Sequence, residues 1–120
     1  MKLNEINKKR KAGCVVKYKD KFLLINKNNK WQLPKGKQKK NEPLNKTALR
    51  EVQEETGVDI YLKNLDPYSV GNTTFFAAKA ISIKTEPSIK EGITECGWFE
   101  IKEALHKIMP EHLYILKHFS

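Results

Sequence analysis

Three glutamates, Glu51, Glu54 and Glu55, stand at i, i+3 and i+4 in the segment ALREVQEETG, a spacing that brings carboxylates onto one face of a helical turn. Like charges so placed cost a helix a few tenths of a kcal/mol per pair, and a divalent cation would remove that repulsion. Carboxylate oxygens suit hard cations, magnesium or manganese, and magnesium bound this way keeps waters and takes up substrate phosphates. A phosphate-bearing substrate follows from such a face. Taken alone, the segment reads as a solvated surface helix with a glycine cap; its neighbours change that reading.

Arg50 lies four residues before Glu54, within reach of an ion pair that would orient that carboxylate, a supporting role. Gly36 sits in a lysine-rich loop, where the missing Cβ lets the backbone approach a metal or a phosphate oxygen. Lys35, Lys37, Lys39 and Lys40 crowd that loop and could hold outer phosphates, with Lys35 and Lys37 best placed because they flank Gly36. Trp31, Tyr68 and Phe76 could stack on a base, although an aromatic in a strand is more often core. Glu42 ends the loop, placed to cap or brace the helix through its N-terminal amides. Glu91 and Glu95 precede an expected strand at Trp98; a polar loop there is commonplace, and loops also carry function.

The elements that must position these groups follow from pattern. Pro43 to Thr56 predicts a helix, with proline in its first turn and Gly57 as its stop. Ala12–Tyr18 and Phe22–Asn26 predict a hairpin turning at Lys19-Asp20-Lys21. Lys27 to Lys30 is a polar turn, Trp31 to Pro34 is extended, and a loop begins at Lys35. Tyr61–Val70, Thr73–Lys84 and Gly97–Phe99 predict further strands. Glu103–Met109 and Glu111–Phe119 predict helices with Pro110 between them and a stripe of Leu113, Leu116 and Phe119. The expectation is one α/β (α+β) domain over residues 1–120, a mixed sheet with helices packed on it.

Composition narrows the classes. An apolar fraction of 39% and a charged fraction of 31% suit a globular chain rather than a disordered one. No apolar run approaches the roughly 20 residues that span a bilayer, and the start lacks the apolar middle of a signal peptide, so a cytoplasmic protein with no membrane partner is expected. Cys14 and Cys96 read as buried, inert thiols. His106, His112 and His118 each rotate about a third of a turn from the last on a helix, so they read as surface histidines rather than a ligand set. The net charge of +9 attracts anions without choosing among phosphates, nucleic acid and acidic lipids.

The full register from Gly36 to Val58 resembles the Nudix box: Gly36, five residues, Glu42, seven residues, Arg50-Glu51, Val52, Gln53, Glu54-Glu55, Thr56, Gly57 and Val58. The resemblance implies the Nudix fold, an α/β/α sandwich around a mixed sheet, and a magnesium- or manganese-dependent hydrolase of diphosphate linkages. It implies metal binding by Glu51, Glu54 and Glu55 with the Gly36 carbonyl alongside, and a general base that is either Glu54 or one of the later Glu91 and Glu95. The loop WQLPKGK is more similar to subgroups acting on dinucleoside polyphosphates than to those with a double-glycine PGG loop, which favours a nucleoside or dinucleoside polyphosphate over an oxidised nucleoside triphosphate. Substrates in view also include an RNA 5′ end and an inositol pyrophosphate, whose dense charge suits lysines without a stacking pocket. From another class comes an RNA-binding or regulatory module, prompted by Lys2, Lys8, Lys9, Arg10, Lys11, Lys17, Lys19 and Lys21.

Overall fold

Two runs rich in apolar, β-branched and aromatic residues found the sheet: β1 (Lys11–Tyr18) and β2 (Lys21–Lys27), joined by a tight turn at Lys19 and Asp20 in which Lys19 takes φ 54°. The computed structural model describes residues 10–120. The hairpin pairs only at its closed end, Lys17 with Phe22 and Tyr18 with Lys21, after which the strands part. β3 (Lys30–Gln32) pairs with the open end of β2, and β4 (Lys35–Lys37) pairs with the open end of β1. The loop expected from Lys35 is therefore a strand at its start. Its Lys-Gly-Lys sequence has little strand preference of its own; Gly13 faces Lys35 in the register, and a Cβ on Gly13 would run into the Pro34 carbonyl and the Lys35 side chain.

On its other side β1 runs parallel to β7 (Thr73–Ala80) from Lys11 opposite Thr73 to Lys17 opposite Lys79. β5 (Ile60–Leu62) and β6 (Tyr68–Val70) both pair with β7, so the single strand expected over Tyr61–Val70 is two short ones, parted where the Asn64 side chain accepts the Asp66 amide and Pro67 follows. β7 stops at Ala80 rather than Lys84, because the next two amides, of Ile81 and Ser82, turn onto the Asp59 carbonyl. β8 (Ile93–Glu100) is longer than its Gly-Trp-Phe centre and lies antiparallel to β2 from Lys21 opposite Glu100 to Lys27 opposite Ile93.

Helices cover both faces of this eight-stranded mixed sheet. The alternation of side chains along β1 sends Cys14 and Val16 to α1 (Leu44–Thr56), where they meet Ala48, Val52, Leu23 and Phe76. Val15 points the other way, with Leu24, Leu33 and Phe75, onto α2 (Ile101–Lys107) and α3 (Pro110–Phe119) through Ala104, Ile115 and Leu116. Fully buried side chains such as Leu23, Leu24 and Ile115 each contribute about 1.5 to 3 kcal/mol of transfer free energy. The architecture is the helix/sheet/helix sandwich expected from the sequence. No helix among the described residues is long and apolar enough to cross a membrane.

His112 departs from its expected place at the surface. It is buried on the inner side of α3, where its Nδ1 accepts the Leu33 amide at 3.1 Å, and burial, helped by Lys35, pushes its pKa down to about 4. His106 and His118 are exposed. Cys14 is buried, with its thiol pushed well above the usual range by burial, whereas Cys96 is half-buried and pushed up to about 12.

Candidate functional site

Because α1 starts after Pro43 (φ −64°) and stops at Gly57 (φ 74°), whose amide returns to the Gln53 carbonyl, Glu51 and Glu55 lie on its buried side with Thr47, Ala48 and Val52. Glu91 meets them from a 3-10 turn over Ile89–Glu91, capped by the Ser88 hydroxyl and closed by Gly92 at φ 82°. One carboxylate oxygen from each of Glu51, Glu55 and Glu91 lies within 4.8 Å of the others, and Glu91 is the most open of the three.

Burial raises the pKa of Glu51 despite Arg50, and burial reinforced by the Glu51 charge pushes Glu55 up to about 8. Such crowding of partly desolvated acids is what a divalent cation relieves. The donor set is all oxygen, which fits magnesium or manganese. Gly36 completes the cradle: its Cα lies so close beneath the Glu51 carboxylate that a Cβ would overlap it. From β4 the Lys35 amide donates to Glu55 Oε1 at 3.1 Å, tying the strand to the helix.

Arg50 organises the outer side. Its Nε and Nη2 donate to the two oxygens of Glu42, its Nη1 to Glu51 (3.0 Å) and Glu54 (3.0 Å), and its Nη2 also to the Lys37 carbonyl (2.9 Å), so every N–H of the fork has an acceptor. Glu42 braces the helix through Arg50 and the Thr47 hydroxyl (2.8 Å) and also takes the Lys39 amide, rather than through the helix's N-terminal amides as expected.

A cavity of about 310 Å³ opens over these groups, lined by Lys11, Lys27, Lys35, Gly36, Lys37, Glu51, Glu55 and Glu91. Six residues singled out in the sequence thus come together: Gly36, Glu51, Glu55, Glu91, Lys35 and Lys37. Glu54 does not join them, since it turns to the exposed side on Arg50. Glu95 is exposed on β8 opposite Asn26. Trp31 sits in a separate groove of about 410 Å³, edge-on to Phe99 at 5.1 Å and capped by the Lys107 ammonium. Tyr68 packs on His118 at 4.5 Å, and Phe76 is core under α1. None of the three aromatics lines the carboxylate cavity.

Lys27 was read only as a turn residue and Lys11 only as one of a basic run. The overlooked signal was position: the first residue of β1 and the last of β2 stand together at the open end of a hairpin. Of the basic run, Lys17, Lys19 and Lys21 lie toward the closed end, and Lys2, Lys8 and Lys9 fall outside the described residues.

Comparison with known proteins agrees with this arrangement. The NUDIX domain profile matches residues 7–119. The 111R protein of Invertebrate iridescent virus 3 is 31% identical over 103 residues, 78% of this chain and 60% of that relative, so the chain spans less than two thirds of the relative's length. Among solved structures, a NUDIX hydrolase from Nitrosomonas europaea superposes with a TM-score of 0.74 at 25% identity, covering 93% of this chain and 73% of the other. A C. elegans Ap4A hydrolase, solved as a binary complex, superposes with a TM-score of 0.80 at 20% identity, covering 92% and 95% of the two chains.

Proposed function

The chain belongs to the NUDIX domain family, and from that premise we propose that it is a divalent-metal-dependent hydrolase of a diphosphate linkage in a nucleoside or dinucleoside polyphosphate. The observation that carries the reading is the convergence of the Glu51, Glu55 and Glu91 carboxylates above Gly36, in a cavity otherwise lined by lysines. Carboxylates and ammonium groups in one cavity suit a ligand that brings both a cation and several anionic oxygens.

Glu51 and Glu55, with the Gly36 backbone beside them, would hold the cation. When bound, it neutralises charge on the phosphoryl oxygens and lowers the pKa of a water toward that of a nucleophile. Glu91, the most open of the three carboxylates, takes the proton of the attacking water; Glu54 and Glu95 do not line the cavity. Lys35 and Lys37 draw the phosphates toward that centre, and Arg50 keeps Glu51 and the Lys37 backbone in register.

The phosphate-binding side supports a polyphosphate more than a base-led substrate, because no aromatic residue is among the described residues that line the cavity. A screen with magnesium or manganese over diadenosine tetraphosphate, nucleoside triphosphates, nucleotide sugars, triphosphorylated RNA and an inositol pyrophosphate tests this. Turnover of a nucleoside polyphosphate is expected, abolished by chelator and reduced at least about a hundredfold in Glu55→Gln. No hydrolysis of any diphosphate with either metal would sink the proposal.

A further inference from the structure

Besides the exposed Lys37, three lysines line the cavity from three different strands: Lys11 from the start of β1, Lys27 from the end of β2 and Lys35 from β4. All three are half-buried, and among the described residues none has a carboxylate within ion-pair distance; Lys35 Nζ rests on the Gln32 side-chain oxygen at 3.2 Å. Lys39 and Lys40, the other lysines of the loop, are exposed and do not line the cavity. Like charges gathered in a partly desolvated space repel one another. Gly13 lets this end of β4 lie close against β1, since a Cβ there would meet the Pro34 carbonyl and the Lys35 Cβ.

What would satisfy these lysines is anionic charge beyond that taken up at the carboxylates. A cation, which Glu51 and Glu55 would hold, would meet much of the charge of a diphosphate at the carboxylate side, and the lysines would remain for further anionic charge. A third and a fourth phosphate bring the charge they lack. We propose that Lys11, Lys27 and Lys35 form a seat for the phosphates beyond the cleaved linkage, so that this site selects substrates by phosphate-chain length, favouring tri- and tetraphosphates over two-phosphate diesters. This rests on the hydrolase reading above and adds to it which substrates are preferred and which residues make the choice.

The test is steady-state kinetics on wild type, Lys27→Gln and Lys11→Gln with diadenosine tetraphosphate and with a nucleotide sugar. Alongside it, direct binding of inorganic tripolyphosphate and of pyrophosphate is measured by calorimetry. Each substitution is expected to raise KM for the tetraphosphate and weaken tripolyphosphate binding about tenfold, equivalent to about 1.4 kcal/mol. Neither should move KM for the nucleotide sugar nor change kcat by more than about twofold, the pattern of lost ground-state binding. Lys19→Gln, at the exposed hairpin turn, serves as a charge-matched control and should match wild type. Equal KM increases on both substrates, or none on either, would overturn the seat. Should the wild type hydrolyse nothing, the hydrolase reading fails, and tripolyphosphate binding to wild type and Lys27→Gln still decides whether the seat exists.

Discussion

Arg50 grips Glu42 through two parallel bonds, Nε to Oε2 at 2.8 Å and Nη2 to Oε1 at 2.9 Å, and so joins the end of the loop to the middle of α1. The hydrogen bonds from Arg50 hold the Glu42 carboxyl down at about 2, and Glu42 in turn raises the guanidinium. Lysine has neither the planar fork nor enough donors to replace it. Arg50→Lys is expected to destabilise the fold by about 2 kcal/mol, read by urea unfolding, and to cut hydrolysis by more than about tenfold as the loop loses register. A variant with unchanged midpoint and turnover would show that the bidentate pair has no structural role.

Gly36→Ala separates the site from the fold. The new methyl would occupy the space of the Glu51 carboxylate, the movable end of a side chain, so the strand pairing of β4 with β1 can survive while the carboxylate swings away. Overpacking of this kind costs about 1 to 3 kcal/mol. Thermal unfolding should therefore show a moderate loss, whereas magnesium-dependent turnover should be nearly abolished. Activity falling no further than stability would show that Glu51 can work from a displaced position.

How much of this was legible in sequence depends on where each signal resides. The bounds of α1 were, because Pro43 and Gly57 are local instructions, and with them the common face of Glu51 and Glu55. The Arg50–Glu54 pair was legible from its spacing; that it leaves Glu54 outside the cavity was not, since this depends on Arg50 having acceptors on both sides. β4 was invisible because Lys-Gly-Lys becomes a strand only through Gly13, more than twenty residues earlier. His112 went unrecognised, and Phe76 stayed open between core and base-stacking, for a related reason: periodicity shows that one face is buried, and the partners that bury it come from Leu33 and from β1.

Cation binding should register in stability without any substrate. Magnesium or manganese at about ten times its dissociation constant stabilises the folded state by about 1.4 kcal/mol, and calorimetry would read this as a rise in Tm. Glu55→Gln should lose that rise. Without metal, the same variant should be at least as stable as wild type near neutral pH, because burial and Glu51 make the wild-type Glu55 carboxyl take up a proton on folding, a cost the amide does not carry. This crossing of two stability orders is the signature of a carboxylate kept for its ion; a variant destabilised equally with and without metal would mark Glu55 as structural.

The last prediction concerns acid. Neutral His112 accepts the Leu33 amide, and its folded pKa of about 4 lies below the ordinary 6.5, chiefly through burial and secondly through Lys35. Between those values the unfolded chain binds a proton that the folded chain does not, so this contribution to stability is fully present above about pH 6.5 and is lost as pH falls toward 4. The loss runs at up to about 1.4 kcal/mol per pH unit across that window and levels off below it. His112→Leu leaves the Leu33 amide without its acceptor, a constant penalty of about 1 to 3 kcal/mol at neutral pH, but has no proton to gain. Urea unfolding of both proteins at several pH values from 7.5 down to 4 should show the wild type losing stability more steeply, so that the curves converge in acid. Carboxylates that titrate in the same range are common to both proteins and drop out of the difference. Parallel curves would mean that His112 is already protonated, or already free of Leu33, at neutral pH.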